Sequence, residues 1–177
     1  LSIGFAYICE NDIDISHCSI LDVYGNKTSN ENSNCTIHSC FIGDIQGFGE
    51  ENSYEWTLTN NIIRGKISNF EEMTLNHNTI VNGDYALNNV NGSTITNNVL
   101  FNTLLSSAPM NNCLDNEYAK NIVSNTCNTG DEQKCETLEK IISCSGNANS
   151  EDYYTPVGVS LGYSTDGTDC GAFGGSN

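Results

Sequence analysis

"LTNNII" at residues 58–63, "LNHNTI" at 75–80 and "ITNNVL" at 95–100 share one plan: an aliphatic residue, a polar stretch closing on Asn, then a largely β-branched pair. Aligned on that closing residue, the chain gives a column of Cys18, Cys40, Asn61, Asn78, Asn98 and Asn121, spaced by 22, 21, 17, 20 and 23 residues. Three positions upstream stand Ile15, Ile37, Leu58, Leu75, Ile95 and Tyr118. One position downstream stand Ser19, Phe41, Ile62, Thr79, Val99 and Ile122. Two positions downstream stand Ile20, Ile42, Ile63, Ile80, Leu100 and Val123, aliphatic without exception.

The period selects the architecture. Helical repeats need about 33 residues or more and propeller blades about 40. Leucine-rich repeats share this length but require Leu at several fixed positions. Here β-branched residues dominate, and "DIDIS" (12–16) and "STIT" (93–96) alternate with period two. Short strands with polar corners, returning every 17–23 residues, describe a coil of parallel strands. Each strand then pairs with its counterpart one turn away, about 4.8 Å along the axis. Stacked Ile, Leu and Val form an apolar column. The recurring Asn is expected to do two jobs: accept a left-handed backbone at the corner, and hydrogen-bond coil to coil through its amide.

These residues resemble a right-handed parallel β-helix of the pectate-lyase-like superfamily, which carries such an asparagine ladder. The "TNN" turns inside 58–61 and 95–98 are the family's common local signature, and the likeness spans residues 3–127. The tail "DGTDCGAFGG" (166–175) is similar to the ending of many secreted bacterial β-helix proteins. The resemblance implies an all-β, single-stranded right-handed parallel β-helix of about six coils, with a C-terminal cap and a secreted or cell-surface bacterial setting. It also implies further β-helix coils upstream of Leu1, because the chain opens without Met in the apolar run "LSIGFAYI".

The coils are expected over 1–127 and the cap of the same domain over 128–177. Inserts at 25–34, 46–53 and 105–117 should project from corners. Cys135, Leu138, Ile141 and Ile142 fall at helical spacing, which predicts a short helix over 131–143. The cap is expected to cover the open C-terminal end of the coil, where unpaired strands invite aggregation.

Composition narrows the function. The 177 residues carry 22 acidic and 6 basic side chains, a net charge of −16, which repels nucleic-acid backbones and anionic membranes. No run of 18 apolar residues is present to span a membrane as a helix. Asn, at 27 residues, suits turns rather than helix interiors. Nine Cys, none in a CxxC pair, favour an oxidising compartment over a zinc site. Cys18 and Cys40, one coil apart, fit either a disulfide or plain stacking. Cys35, in a column with Trp56 and Met73, reads as core, as does Phe41.

A second column, four residues past the ladder, reads Asp22, Asp44, Gly65, Asn82, Asn102, Asn125. Stacked carboxylates about 5 Å apart repel each other, raise a pKa or recruit Ca²⁺, and such spacing also serves retaining glycosidases. Arg64 and Lys66 flank Gly65. The family resemblance implies a calcium-plus-basic layout here, although the superfamily's motif around its catalytic Arg is not found. The plain alternative is a second polar ladder with its acids facing solvent. His17, His38 and His77 sit in turns of different coils and are expected not to converge. Among the aromatics Tyr24, Phe48, Tyr54, Trp56, Tyr153 and Tyr154, Phe48 and Tyr54 lie beside an acidic insert and suit an exposed carbohydrate platform.

Two functions follow. One is a β-helix module that binds polysaccharide. The other is a polysaccharide lyase or glycoside hydrolase using Asp22 and Asp44, with calcium as an optional cofactor and Arg64 or Lys66 as base or charge stabiliser.

Overall fold

The computed structural model describes residues 1–8, 12–26, 34–48, 56–71, 73–81, 87–91, 93–101, 122–123, 142–164 and 166–175. Among the described residues fourteen strands occur in chain order: β1 (Ser2–Ile8), β2 (Ile13–Ser16), β3 (Ser19–Asn26), β4 (Cys35–His38), β5 (Phe41–Phe48), β6 (Trp56–Thr59), β7 (Ile62–Ile63), β8 (Ile67–Glu71), β9 (Thr74–Asn76), β10 (Thr79–Val81), β11 (Leu87–Asn91), β12 (Thr94–Thr96), β13 (Val99–Phe101) and β14 (Ile122–Val123). One sheet has the order β2-β4-β6-β9-β12. The other runs β1-β3-β5-β7-β10-β13-β14, with β8 pairing β5 and β11. Every strand pairing within the sheets is parallel and joins a strand to its counterpart in the next coil. The chain is a parallel β-helix, and β1 supplies the partial coil ahead of the first complete turn.

Register follows the sequence columns. Ile15, Ile37, Leu58, Leu75 and Ile95 pair in succession through the smaller sheet. Ile20, Ile42, Ile63, Ile80, Leu100 and Val123 do the same in the larger one. A third inward file, Val23, Ile45, Ile67 and Leu87, lies past the next bend. Ile37, Ile42, Ile45, Leu58, Ile63, Ile67, Leu75 and Ile80 are fully buried. Each contributes about 1.5–3 kcal/mol by leaving water. Cys35, Trp56 and Met73 are core as expected, and Trp56 packs on Phe70 with ring centroids 4.8 Å apart.

The corner separates the two jobs assigned above to one Asn. The left-handed residue is the one before the ladder: His17 (φ 53°), Ser39 (53°), Asn60 (56°), His77 (52°) and Asn97 (58°). That residue turns the chain and points its side chain outward. The next residue is then free to turn inward and build the ladder. The Asn78 Oδ1 accepts from the Asn61 backbone N–H (3.1 Å) and the Asn61 Nδ2 (3.0 Å). The Asn98 Oδ1 accepts in the same way from Asn78, at 2.7 and 3.0 Å. The Nδ2 of Asn98 donates to the carbonyl of Thr96, two residues back, and to Leu75 of the coil before.

The thiols reproduce this pattern. Cys40 Sγ accepts the Cys18 N–H at 3.4 Å and donates to the His38 carbonyl, two residues back, at 3.3 Å. Cys18 Sγ donates to the Ser16 carbonyl at 3.1 Å. The Cys40 N–H in turn donates to Asn61 Oδ1 at 3.0 Å. Cys18 and Cys40 are free thiols, so stacking rather than a disulfide joins them. The last ladder position, Asn121, lies outside the described residues.

The described part of the C-terminal segment, 142–164 and 166–175, packs beside the coil, and residues 128–141 of the expected cap lie outside the described ones. The described part forms a strap along the outer face of the larger sheet. Ile142, Tyr154, Cys170 and Ala172 cluster with Ile62 and Val99, and Phe41 and Val81 pack against them. The strap itself carries an antiparallel bridge, Ile142 to Pro156, and two 3-10 turns, Glu151–Tyr154 and Gly158–Ser160. Ile142 and Ser143 are therefore extended rather than helical; residues 131–141 of the expected helix lie outside the described ones. The cause is the column just after the ladder, whose Phe41, Ile62 and Val99 point outward. A sheet face this apolar needs a cover. Phe41 is accordingly only half-buried, and it serves the strap rather than the core.

Asn78→Ala strips acceptors and donors from the Asn61 amide and the Leu58 carbonyl inside a dry corner. Urea unfolding should show a loss of about 3 kcal/mol, against a change within about 0.5 kcal/mol for the surface control Thr57→Ala.

Candidate functional site

Asp22 and Asp44 do occupy paired positions in β3 and β5. Each carboxylate, however, leans along the axis onto the next coil. Asp22 Oδ1 accepts the Asp44 N–H at 3.2 Å, and Asp44 Oδ1 accepts the Lys66 N–H at 2.8 Å. Gly65 permits this approach: a Cβ there would lie 1.9 Å from Asp44 Oδ1. The second Asp22 oxygen takes the Tyr24 hydroxyl at 3.5 Å, and the Tyr24 ring stacks at 6.3 Å on the exposed Phe5. The column is a carboxylate ladder at the second bend, with anions satisfying backbone N–H groups.

Arg64 faces away from this pair. Its guanidinium lies 4.5 Å from the Phe41 ring centroid and donates to Asn149 Oδ1 of the strap. Lys66 contributes its backbone N–H to Asp44. Phe48 ends β5 opposite Asn26, its side chain lying outside the described residues, as does all of Tyr54. Tyr154 is buried against Phe41, ring centroids 5.6 Å apart, and donates to the Ala148 carbonyl, so it anchors the strap.

A concave surface among the described residues lies elsewhere, between the corner column and the strap. A cleft of about 570 Å³ is lined by His17, His38, Ser39, Thr59, Glu151 and Phe173. A second hollow, of about 340 Å³, shares His17, Ser39 and Glu151 and reaches Leu1. Together they form one groove running along the coil axis. His17 and His38 meet edge to face in it, with ring centroids 5.8 Å apart. The expectation that the histidines stay apart is therefore corrected for this pair. His38 ends β4, and its coil partner in register is Ser16, the residue before His17. The left-handed bend at His17 swings that ring across the one-residue offset. The signal in sequence was the spacing of 21 between His17 and His38, close to one coil; the turn geometry needed to read it was not visible.

Asp14 Oδ1 stands 3.4 Å from His38 Nε2 and orients the ring. Cys40 lines the groove, and burial pushes its thiol above the ordinary value. The groove thus offers imidazole, hydroxyl and carboxylate hydrogen-bonding groups beside the Phe173 ring, which is 39% exposed. Among the described residues no group of three or more His, Cys, Asp or Glu is arranged to hold a metal ion. No described helix is long and apolar enough to cross a membrane. No family model matches the chain, and neither a curated protein nor a solved structure matches it.

Replacing Asp44 separates its ladder role from a calcium role. Asp44→Asn keeps the Oδ1 acceptor and should cost under about 1 kcal/mol, whereas Asp44→Ala should cost about 2 kcal/mol in chemical unfolding. Equal losses, together with a melting temperature lowered by chelator, would instead identify the carboxylate charge as a metal ligand.

Proposed function

We propose that this chain is a non-catalytic β-helix module of the pectate-lyase-like type that binds polysaccharide in the groove between the corner column and the strap. The observation that carries the reading is the groove's composition: an exposed aromatic ring, Phe173, beside His17, His38, Ser39, Thr59 and Glu151. An aromatic face stacks on the apolar side of a sugar ring, and mixed donors and acceptors match its hydroxyls. Running along the coil axis, the groove suits an extended polymer. The −16 charge disfavours an acidic one, so the ligand class is a neutral glycan.

The secreted or cell-surface bacterial setting rests on the likeness of the 166–175 tail. A lyase or hydrolase built on Asp22 and Asp44 is the weaker reading, because one oxygen of each carboxylate already serves a backbone N–H.

Retention on a panel of immobilised neutral and acidic polysaccharides tests this. Phe173→Ala should weaken retention of the bound glycan about tenfold, equivalent to about 1.4 kcal/mol. Asp44→Asn should leave it unchanged, with no new reducing ends or unsaturated products from either protein. Product formation abolished by Asp44→Asn would establish the enzyme reading instead.

A further inference from the structure

His77 is the third histidine, and its ring is buried, with 2% of the side chain exposed. Both of its nitrogens meet strap oxygens. Nδ1 lies 3.2 Å from the backbone carbonyl of Asp169, and Nε2 lies 3.2 Å from Asp166 Oδ2. A carbonyl only accepts. The Asp166 carboxyl is held well below the usual carboxylate range by the Ser164 and Thr168 hydroxyls and the Thr168 N–H, with His77 adding to the effect, so it too only accepts. Two acceptors, one at each nitrogen, require two N–H donors, and only the imidazolium has both. A neutral ring would turn a lone pair toward one of these oxygens.

We propose that His77 acts as a charged clasp that holds the strap on the coil, and that loss of its proton releases the strap. The neighbouring groups fit this role. Asp166 and Asp169 are the carboxylates that the strap brings to the ring, and the Asp169 side chain is itself engaged by the Gly162 N–H at 2.8 Å. The Cys170 thiol next in sequence is buried. On the coil side the neighbouring strap contacts are uncharged: Asn60 Nδ2 donates to the Ala172 and Gly174 carbonyls, the Asn97 carbonyl accepts the Gly171 N–H, and Thr79 Oγ1 accepts the Ala172 N–H. Gly174 and Gly175 close over the ring; a Cβ at 174 would lie 2.4 Å from Nδ1.

The strap carries Glu151, Ala172 and Phe173, which form one wall of the groove. Releasing the clasp therefore opens the groove. The clasp stands on its own geometry; its consequence for glycan retention rests on the reading proposed above.

The sign is fixed by the chemistry. The bonds are complete where the imidazole is protonated and Asp166 ionised. They weaken when the ring gives up its proton, and again in strong acid as Asp166 takes one up.

Amide hydrogen exchange of the full chain, corrected for intrinsic rates, reads this directly. Protection of the Gly171 and Ala172 amides should fall about tenfold or more from about pH 5 to about pH 8, while core amides such as Leu58 and Leu75 hold. Asp166→Asn gives the decisive contrast. Its Oδ1 keeps the Ser164 and Thr168 bonds, and its Nδ2 donates to a neutral Nε2, so strap protection should persist at high pH. Ring ¹⁵N shifts of His77 in the unmodified protein give a readout independent of any variant's folding. Neutral-ring shifts while the strap is protected, protection flat with pH, or an Asp166→Asn profile identical to the unmodified one would each overturn the clasp. Loss of glycan retention alone would bear on the groove, not on the clasp.

Discussion

The fold depends on one buried hydrogen bond repeated up the axis: from Cys18 to Asn78, the N–H of each ladder residue donates to the side chain of the ladder residue one coil on. The bend that brings the chain from the smaller sheet to the larger leaves this N–H without a strand partner. An unpaired buried donor costs about 1–3 kcal/mol. The side chain at the equivalent place one coil away accepts it. That requirement forces equivalent positions into vertical file, and once they are in file the Ile, Leu and Val two and three residues away stack as well. The apolar core is thus placed by a polar constraint.

Cys18 and Cys40 show what the constraint demands. A thiol is a weak donor and a weak acceptor, but it reaches the carbonyl two residues back and meets the N–H of its neighbour just as Asn does. The position asks for a short side chain with both functions, not for an amide as such. This explains why thiols can hold the ladder without a disulfide between them. At Cys35, which lies in the apolar file with Trp56, burial instead pushes the thiol to about 12, and the residue behaves as a small hydrophobe.

The core was legible from sequence because its signal is periodic: Ile37, Leu58 and Leu75 recur at the coil length, and no other arrangement uses that recurrence. The Asp22 and Asp44 pairing was legible for the same reason. What the carboxylates do was not, since it depends on Gly65 leaving room for Asp44 to lean across. The left-handed residue was misplaced by one position, because in "TNN" both Asn tolerate positive φ and only the inward ladder tells them apart. The strap's docking was the least legible part. Its contacts span more than 90 residues, as between His77 and Asp169 or Ala172 and Thr79, and no local pattern encodes them. One clue was present: Phe41, Ile62 and Val99 put apolar side chains immediately after the ladder, where an uncovered outer face would carry polar ones.

The corner column then explains where the groove lies. Its five left-handed residues all project outward along one line, because an inward ladder residue follows each of them. Asn60 and His77 spend that projection on the strap, through a side-chain amide and an imidazole, while Asn97 meets the strap with its backbone carbonyl and turns its side-chain amide to Asn76. His17 and Ser39, at the N-terminal end of the same line, have no strap segment bonded to them among the described residues. The strap meets them only across a cleft, through Glu151 and Phe173. A single backbone device therefore yields a dock where its residues bond the strap and a groove where they face it across a cleft. The boundary between the two falls at Asn60, which both lines the cleft and holds the strap.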